Sequence, residues 1–220
     1  GTSEERRKLM DSLLSQIDGD YLRLLIQYNK VLQQRNSLLK WSAEQGQLDD
    51  TLLSSLDQQL VQYGTPIFEQ RTKLLKEWLP IVHQLYLSIA GNADAIDIQY
   101  QSTLQNNAFE DLLKQALPKD RAVQRTSVGI HKDDLIITIQ GQSFKQEASQ
   151  GQRKSLLFAI RLAEWELIKK AKGFSPILLM DDIFEKLDEQ RMAHLLGWVA
   201  TSTDGPVFIT DTHKARCLLY

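Results

Sequence analysis

The chain is poor in several things, and each shortage excludes something. Among its 220 residues there is a single cysteine, Cys217, so no disulfide framework is available, and the lone thiol fits a reducing, cytoplasmic setting. No uninterrupted apolar run approaches the roughly 20 residues that span a bilayer, and the opening GTSEERRK has none of the character of a signal peptide. A strong excess of base is absent too. There are 26 Lys and Arg against 28 Asp and Glu, a net charge of −2. The charge splits into −4 over residues 1–117 and +2 over 118–220, which is too little to announce nucleic acid by electrostatics alone. Internal repeats and low-complexity tracts are missing as well.

What is present is ordinary for a globular protein: 42% apolar and 25% charged residues. The length suffices for one large or two modest cores. Thr2-Ser3-Glu4-Glu5 has the spacing of a capping box and opens a first helix, which Asp18-Gly19-Asp20 interrupts. Leu24, Leu25, Tyr28, Val31, Leu32, Leu38 and Leu39 then recur at intervals of three and four. Leu52 to Leu60 form a second stripe, and residues 67–90 a third that Pro80 bends. Three antiparallel helices in an arm or bundle follow from these stripes.

Past Gly91 the texture changes. AIDIQYQS alternates like a strand, residues 106–117 are helical, and Pro118 marks a break. TSVGIH and DLIITIQG read as neighbouring strands or a hairpin. SPILLMDD and PVFITDTH, with a helix from about Glu189 to Ala200 between them, read as strands of a parallel sheet buried on both faces. The fold class is therefore mixed α/β, with a helical arm over 1–94 and an α/β portion over 95–220.

Two features carry chemistry. EASQGQ (147–152) is a small polar turn in front of a long amphipathic helix. It is either an ordinary N-cap by Ser149 or an anion site, because unpaired N–H groups and the positive dipole end both favour phosphate there. Asp181 and Asp182 end one buried strand, and Asp211 and His213 end the other. In an open α/β sheet ligands gather at this edge. Neighbouring strand residues point to opposite faces, so one aspartate can hold hydrated Mg²⁺ while the other faces an attacking water, and the alternative is a pair of aspartates capping the next helix.

Taken in order, ASQGQ, ILLMDD, Leu187-Asp188 and Thr212-His213 resemble the signature turn, Walker B strand, D-loop and switch histidine of the ATP-binding-cassette nucleotidases. Within that class YNKVLQQRNSLLK, VGIHKDDL and IQGQSFKQEASQGQRKSLLFAIRLAE are similar to the RecF family, DNA replication and repair ATPases related to Rad50 and the SMC proteins. Ile130 and Lys132 depart from that family's usual proline and arginine. The resemblance implies the C-terminal lobe of a cassette-type ATPase head, ATP held between two heads of a homodimer, and sequence-independent binding of DNA. Ser149, Gln150, Gly151 and Gln152 would then meet the γ-phosphate across the dimer. Asp181 would hold Mg²⁺ through water, Asp182 orient the attacking water, Asp188 act across the dimer and His213 sense the γ-phosphate. RecR and RecO are the implied protein partners.

No G-x-x-x-x-G-K-[ST] occurs in these 220 residues. The reading is thus of a chain without the ATP-binding segment that precedes Glu4 in the family, inactive as an ATPase by itself and prone to expose apolar sheet edges. Scattered bases, namely Arg6, Arg7, Lys8, Arg23, Lys30, Arg35 and Lys40, with Arg153, Lys154 and Arg161, are either a solvated face or phosphate contacts. His83 and His194 fall in helical patterns, and His131 has no partner at zinc spacing. A different reading of the whole is a nucleotide-independent helical module that docks a partner protein, with the strand-end acids vestigial.

Overall fold

A computed structural model describes residues 1–91, 96–181 and 187–210. Its helices begin where the sequence supplies caps. Thr2 and Glu5 exchange the two bonds of a capping box at the start of α1 (Ser3–Ile17), with the Glu5 N–H donating to Thr2 Oγ1 over 3.2 Å. Asp18 closes α1 and caps α2 (Gly19–Gln45) by accepting from the Asp20 N–H at 2.8 Å. Gly46, at φ 72°, ends α2.

The second and third apolar stripes belong to one helix, α3 (Asp50–Ala90), which runs through Pro66 and Pro80. A proline inside a helix costs about 3 kcal/mol. The stripe Leu53, Leu56, Leu60, Ile67, Leu74, Trp78, Val82, Leu85 and Ile89 keeps one buried face across both prolines, and burial at about 1.5–3 kcal/mol for each large side chain outweighs that cost. The three stripes therefore form two helices, α2 and α3, where the sequence pointed to three.

Two further boundaries move. After β1 (Ile96–Gln101), α4 (Phe109–Val123) continues past Pro118. Buried Asp120 accepts from Arg35 Nη1 at 2.7 Å and from the Ser127 N–H at 2.9 Å, which holds the turn beyond the proline. TSVGIH is no strand, because Gly129 stands at φ 120° and Ile130–Lys132 form a single 3-10 turn. The hairpin lies one segment later, between β2 (Asp134–Ile139) and β3 (Gln142–Ser143), antiparallel. Its turn residues Gln140 and Gly141 both have positive φ, 50° and 77°, the left-handed turn that matches strand twist. The sheet order is β1-β2-β3.

A short helix α5 (Phe144–Glu147) leads to α6 (Gln150–Lys172), then β4 (Leu178–Met180), α7 (Glu189–Ser202) and β5 (Val207–Ile209). β4 and β5 are parallel, with Leu178 beside Val207 and Met180 beside Ile209. This is the expected strand, helix, strand order, with one correction. Only Leu178 and Met180 are buried, while Leu179 is 73% and Phe208 57% exposed, so one face of the pair is open.

Contacts divide the chain into two compact units, 1–75 with 99–136 and 76–98 with 137–220. The first packs Met10, Leu13, Tyr21, Tyr28, Leu39 and Leu60. The second packs Leu156, Ala159, Leu162 and Trp165 of α6 with Leu195 and Val199 of α7. There the Trp165 indole N–H donates to the Pro176 carbonyl at 2.8 Å, and its ring meets Trp198 edge-on at 6.4 Å. These units interleave along the chain.

Candidate functional site

In the second unit α6 opens on the turn that the sequence singles out. Buried Ala148 pins the approach, and Ser149 takes an extended conformation at φ −63°, ψ 166°. Its hydroxyl accepts from the Gln152 N–H at 3.2 Å, and the Gln152 side-chain oxygen accepts from the Ser149 N–H at 2.7 Å. Ser149 is thus a true N-cap, and the cap leaves room for an anion at the same turn. Ser149 and Gln150 are exposed, Gly151 and Gln152 half-exposed, and the first turn carries no acidic residue. The N–H groups of Gln150 and Gly151 have no carbonyl partner within the helix, so an anion can approach them.

At the far end of β4 stands Asp181, exposed. The Thr210 N–H donates to the Met180 carbonyl at 2.9 Å, extending the β4–β5 ladder by one step, and the Thr210 hydroxyl donates to the Asp181 carboxylate. Parallel pairing therefore brings the carboxyl ends of both strands together. Asp188 begins α7 and caps it, accepting from the Arg191 N–H at 2.8 Å with Arg191 Nε 3.5 Å from its other oxygen. The side chain remains largely exposed. Asp182 and His213 lie outside the described residues. Among the described residues no group of three or more His, Cys, Asp or Glu gathers as a metal cluster, and no helix is long and apolar enough to cross a membrane.

The bases read as possible phosphate contacts separate into two kinds. Arg35 is fully buried, paired with Asp57 at 2.6 Å and Asp120 at 2.7 Å and bonded to Thr126. It is removed from any surface. Arg6 makes two bonds to the Asp134 carboxylate, at 2.7 and 2.8 Å, and Arg7 donates to the Asp133 carbonyl. Lys8, Arg23 and Arg161 pair with acids one helical turn away, and Arg153 donates to the Lys145 carbonyl.

Sequence reasoning missed what VGIHKDDL does in the first unit. Buried Arg71 donates to the Ile130 carbonyl at 2.8 Å, to Asp133 at 2.9 Å and to both Asp11 oxygens. Tyr100 donates to the same Asp133 carboxylate, and Tyr21 to Asp11. Burial works against the Arg71 charge, but Tyr21, Asp11, Tyr100 and Asp133 outweigh it and hold the guanidinium above its ordinary value. Burial pushes the Asp133 carboxyl up, against hydrogen bonds from Ser102, Tyr100 and Arg71. Gly129 lets the loop pass close to α2, since an added Cβ there would fall 2.6 Å from the Tyr28 hydroxyl oxygen. The available signal was Arg71 itself, set in an apolar register with Ile67, Leu74 and Trp78.

His131 completes this loop. Its Nε2 faces the Thr126 carbonyl at 3.1 Å, so it carries the proton, and Nδ1 accepts from the Tyr28 hydroxyl at 2.8 Å. Burial pushes the imidazole down to about 4, below an unfolded value of about 6.5. Because the folded form gives up its proton first, the stability is complete above about pH 6.5 and is lost as pH falls towards 4. Asp133 shifts in the opposite sense, so the imidazole is isolated by difference. We expect the stability gap between the chain and His131→Gln to shrink by on the order of 3 kcal/mol between pH 7 and pH 4 in denaturant melts. A gap independent of pH would disprove the buried neutral imidazole.

No protein-family model matches the chain. Against individual proteins, 214 residues are 46% identical to a DNA replication and repair protein RecF from Flavobacterium johnsoniae, covering 97% of the chain and 60% of that protein. Another from Cytophaga hutchinsonii is 40% identical over 219 residues, covering 58% of that protein. Two solved structures of the recombination mediator protein RecF in the RecFOR pathway, one as RecF-ATPrS and one as RecF-ATP, superpose with TM-scores of 0.82 and 0.83 at 28% identity. Both matches cover 97% of the chain and 59% of the solved chain. The chain thus spans about three fifths of the length of these relatives, and over nearly its whole length its homologues are DNA replication and repair proteins named RecF.

Proposed function

We propose that this chain is the signature-turn and Walker B portion of an ATP-gated DNA clamp that closes as a homodimer and acts with RecR and RecO. The observation that carries this reading is the β4–β5 pair: two parallel strands whose carboxyl ends meet at Asp181 and Thr210, in the same unit as the exposed N-terminus of α6. Division by role follows, with 1–94 the helical arm and 95–220 the head portion, even though the packing units interleave.

Within that reading Ser149, Gln150, Gly151 and Gln152 meet the γ-phosphate of ATP bound to the other head. Ser149 turns its hydroxyl and Gly151 its N–H towards the added charge. A single carboxylate suits a hydrated Mg²⁺, which keeps most of its waters. Asp181 fits that role, since it is exposed and has an oxygen beyond the one that Thr210 engages. Mg²⁺ there would neutralise charge on the phosphates. Asp182 positions the attacking water, Asp188 reaches across the dimer and His213 senses the γ-phosphate, and none of them helps unless both heads are assembled. Half-exposed Lys154 remains as a phosphate contact for DNA, insensitive to base sequence. The setting is cytoplasmic.

In a full-length protein that contains this sequence, Asp182→Asn is expected to bind ATP normally and slow dissociation of the ATP-bound dimer at least tenfold, read by sedimentation after nucleotide chase. An unchanged dimer lifetime together with unchanged turnover would favour the nucleotide-independent module instead.

A further inference from the structure

Helix α2 has a solvent face of unusual composition. Leu22, Ile26, Lys30, Gln33, Ser37 and Trp41 follow one another at steps of three and four residues and form one stripe about 28 Å long, at 1.5 Å per residue. Ile26 is 55% and Trp41 50% exposed. Near its C-terminal end the stripe borders a groove of about 700 Å³, floored by Leu38, Trp41 and Leu52 and edged by Lys30, Gln34 and Asp49. All of these residues lie in the first unit. A solvated helix face normally mixes charges of both signs. Here no acid occurs between Asp20 and Glu44, and Lys30 and Lys40 are exposed with no ion pair among the described residues.

We propose that this face of α2 docks an amphipathic helix of a partner protein, with an apolar seam along Leu22, Ile26 and Trp41 and glutamate or aspartate flanking it opposite Lys30 and Lys40. A helix is the fitting occupant because the stripe runs along one helix face for five turns and is spaced for ridges and grooves. Complementary charge sets the partner's orientation and on-rate, while the Trp41 groove supplies the anchor. Nucleic acid fits worse. Two unpaired lysines over five turns neutralise few phosphates, and exposed Leu22 and Ile26 have nothing to gain from a sugar-phosphate backbone.

The test uses the 220-residue chain and three labelled probes in fluorescence anisotropy: a 21-residue helical peptide with a leucine seam flanked by glutamates, the same peptide flanked by lysines, and a 20-nucleotide single-stranded DNA. The glutamate peptide should bind at least tenfold more tightly than the lysine peptide. Ile26→Glu and Trp41→Ala, with unchanged helical circular dichroism and melting, should each weaken it at least tenfold, and Lys30→Glu should abolish the preference. Equal binding of both peptides, indifference to Ile26→Glu and Trp41→Ala, or displacement of the peptide by the oligonucleotide would each overturn the proposal. So would a concentration-dependent dimer of the chain that Ile26→Glu dissolves, because the occupant would then be a second copy.

Discussion

Arg71→Ala is expected to destabilise the first unit by about 3–5 kcal/mol, the cost of leaving buried carboxylates without their cation. Arg71 is 1% exposed and ties three separate parts of the chain together: Asp11 on α1, the Ile130 carbonyl, and Asp133 just before β2. Removing it leaves fully buried Asp133 without a cation, held only by Tyr100 and Ser102, and Asp11 served by Tyr21 alone. For a unit of this size each kcal/mol moves a melting temperature by several degrees, so a fall of more than 10 °C should appear by near-ultraviolet circular dichroism. The network costs desolvation on both sides, so a paired replacement is milder than a broken pair. Arg71→Met combined with Asp133→Asn should recover at least half of the loss. A melting temperature for Arg71→Ala within two or three degrees of the parent would show that the cluster contributes little, and a double variant no better than the single would show that the packing of the long side chain dominates.

This cluster marks the line between what the sequence disclosed and what it withheld. Capping at Thr2, Asp18 and Ser149 is local chemistry, decided within four residues, and was legible. So were the parallel strands around ILLMDD and PVFITDTH, because short apolar runs separated by a helix leave few other topologies. Pro118 misled because local rules end a helix there, whereas the Arg35–Asp120 pair, distant in sequence, overrides them, and the gap between the stripes at Leu60 and Ile67 misled because the apolar register of α3 carries across it. TSVGIH shows β-like residues, yet Gly129 adopts a backbone that only contact with Tyr28 and Phe109 explains. Arg35 looked like one more surface base, since a lone arginine on a helix reveals burial only once its two carboxylates, 22 and 85 residues away, are known. For the candidate site, the Ser149 turn and the Asp181 strand end were legible as motifs. Which aspartate takes which role depends on placement, and Asp182 and His213 fall outside the described residues.

Ser149→Asp in a full-length protein that contains this sequence should leave stability unchanged and reduce ATP-dependent turnover at least 100-fold. The two halves of that expectation come from one hydroxyl, in its observed role as a cap and in its proposed role at the nucleotide. As N-cap, Ser149 accepts from the Gln152 N–H, and aspartate caps a helix as well as serine does while also favouring the positive dipole end. Melting should therefore shift by no more than a degree or two. As a phosphate contact the same position must face a triphosphate bearing several negative charges, and a carboxylate there adds repulsion in a site closed to water, where like charges a few Å apart cost several kcal/mol. Each 1.36 kcal/mol is a factor of ten in rate, so a loss of two powers of ten or more follows. Ser149→Ala makes the opposite separation, losing about 1 kcal/mol of cap stability without adding charge, and should retain more turnover than the aspartate variant. If turnover tracked stability across the pair, falling more for alanine than for aspartate, Ser149 would be a cap and nothing else. If instead the aspartate enzyme melted like the parent yet neither hydrolysed ATP nor dimerised with it, the turn would be a wall of the nucleotide site.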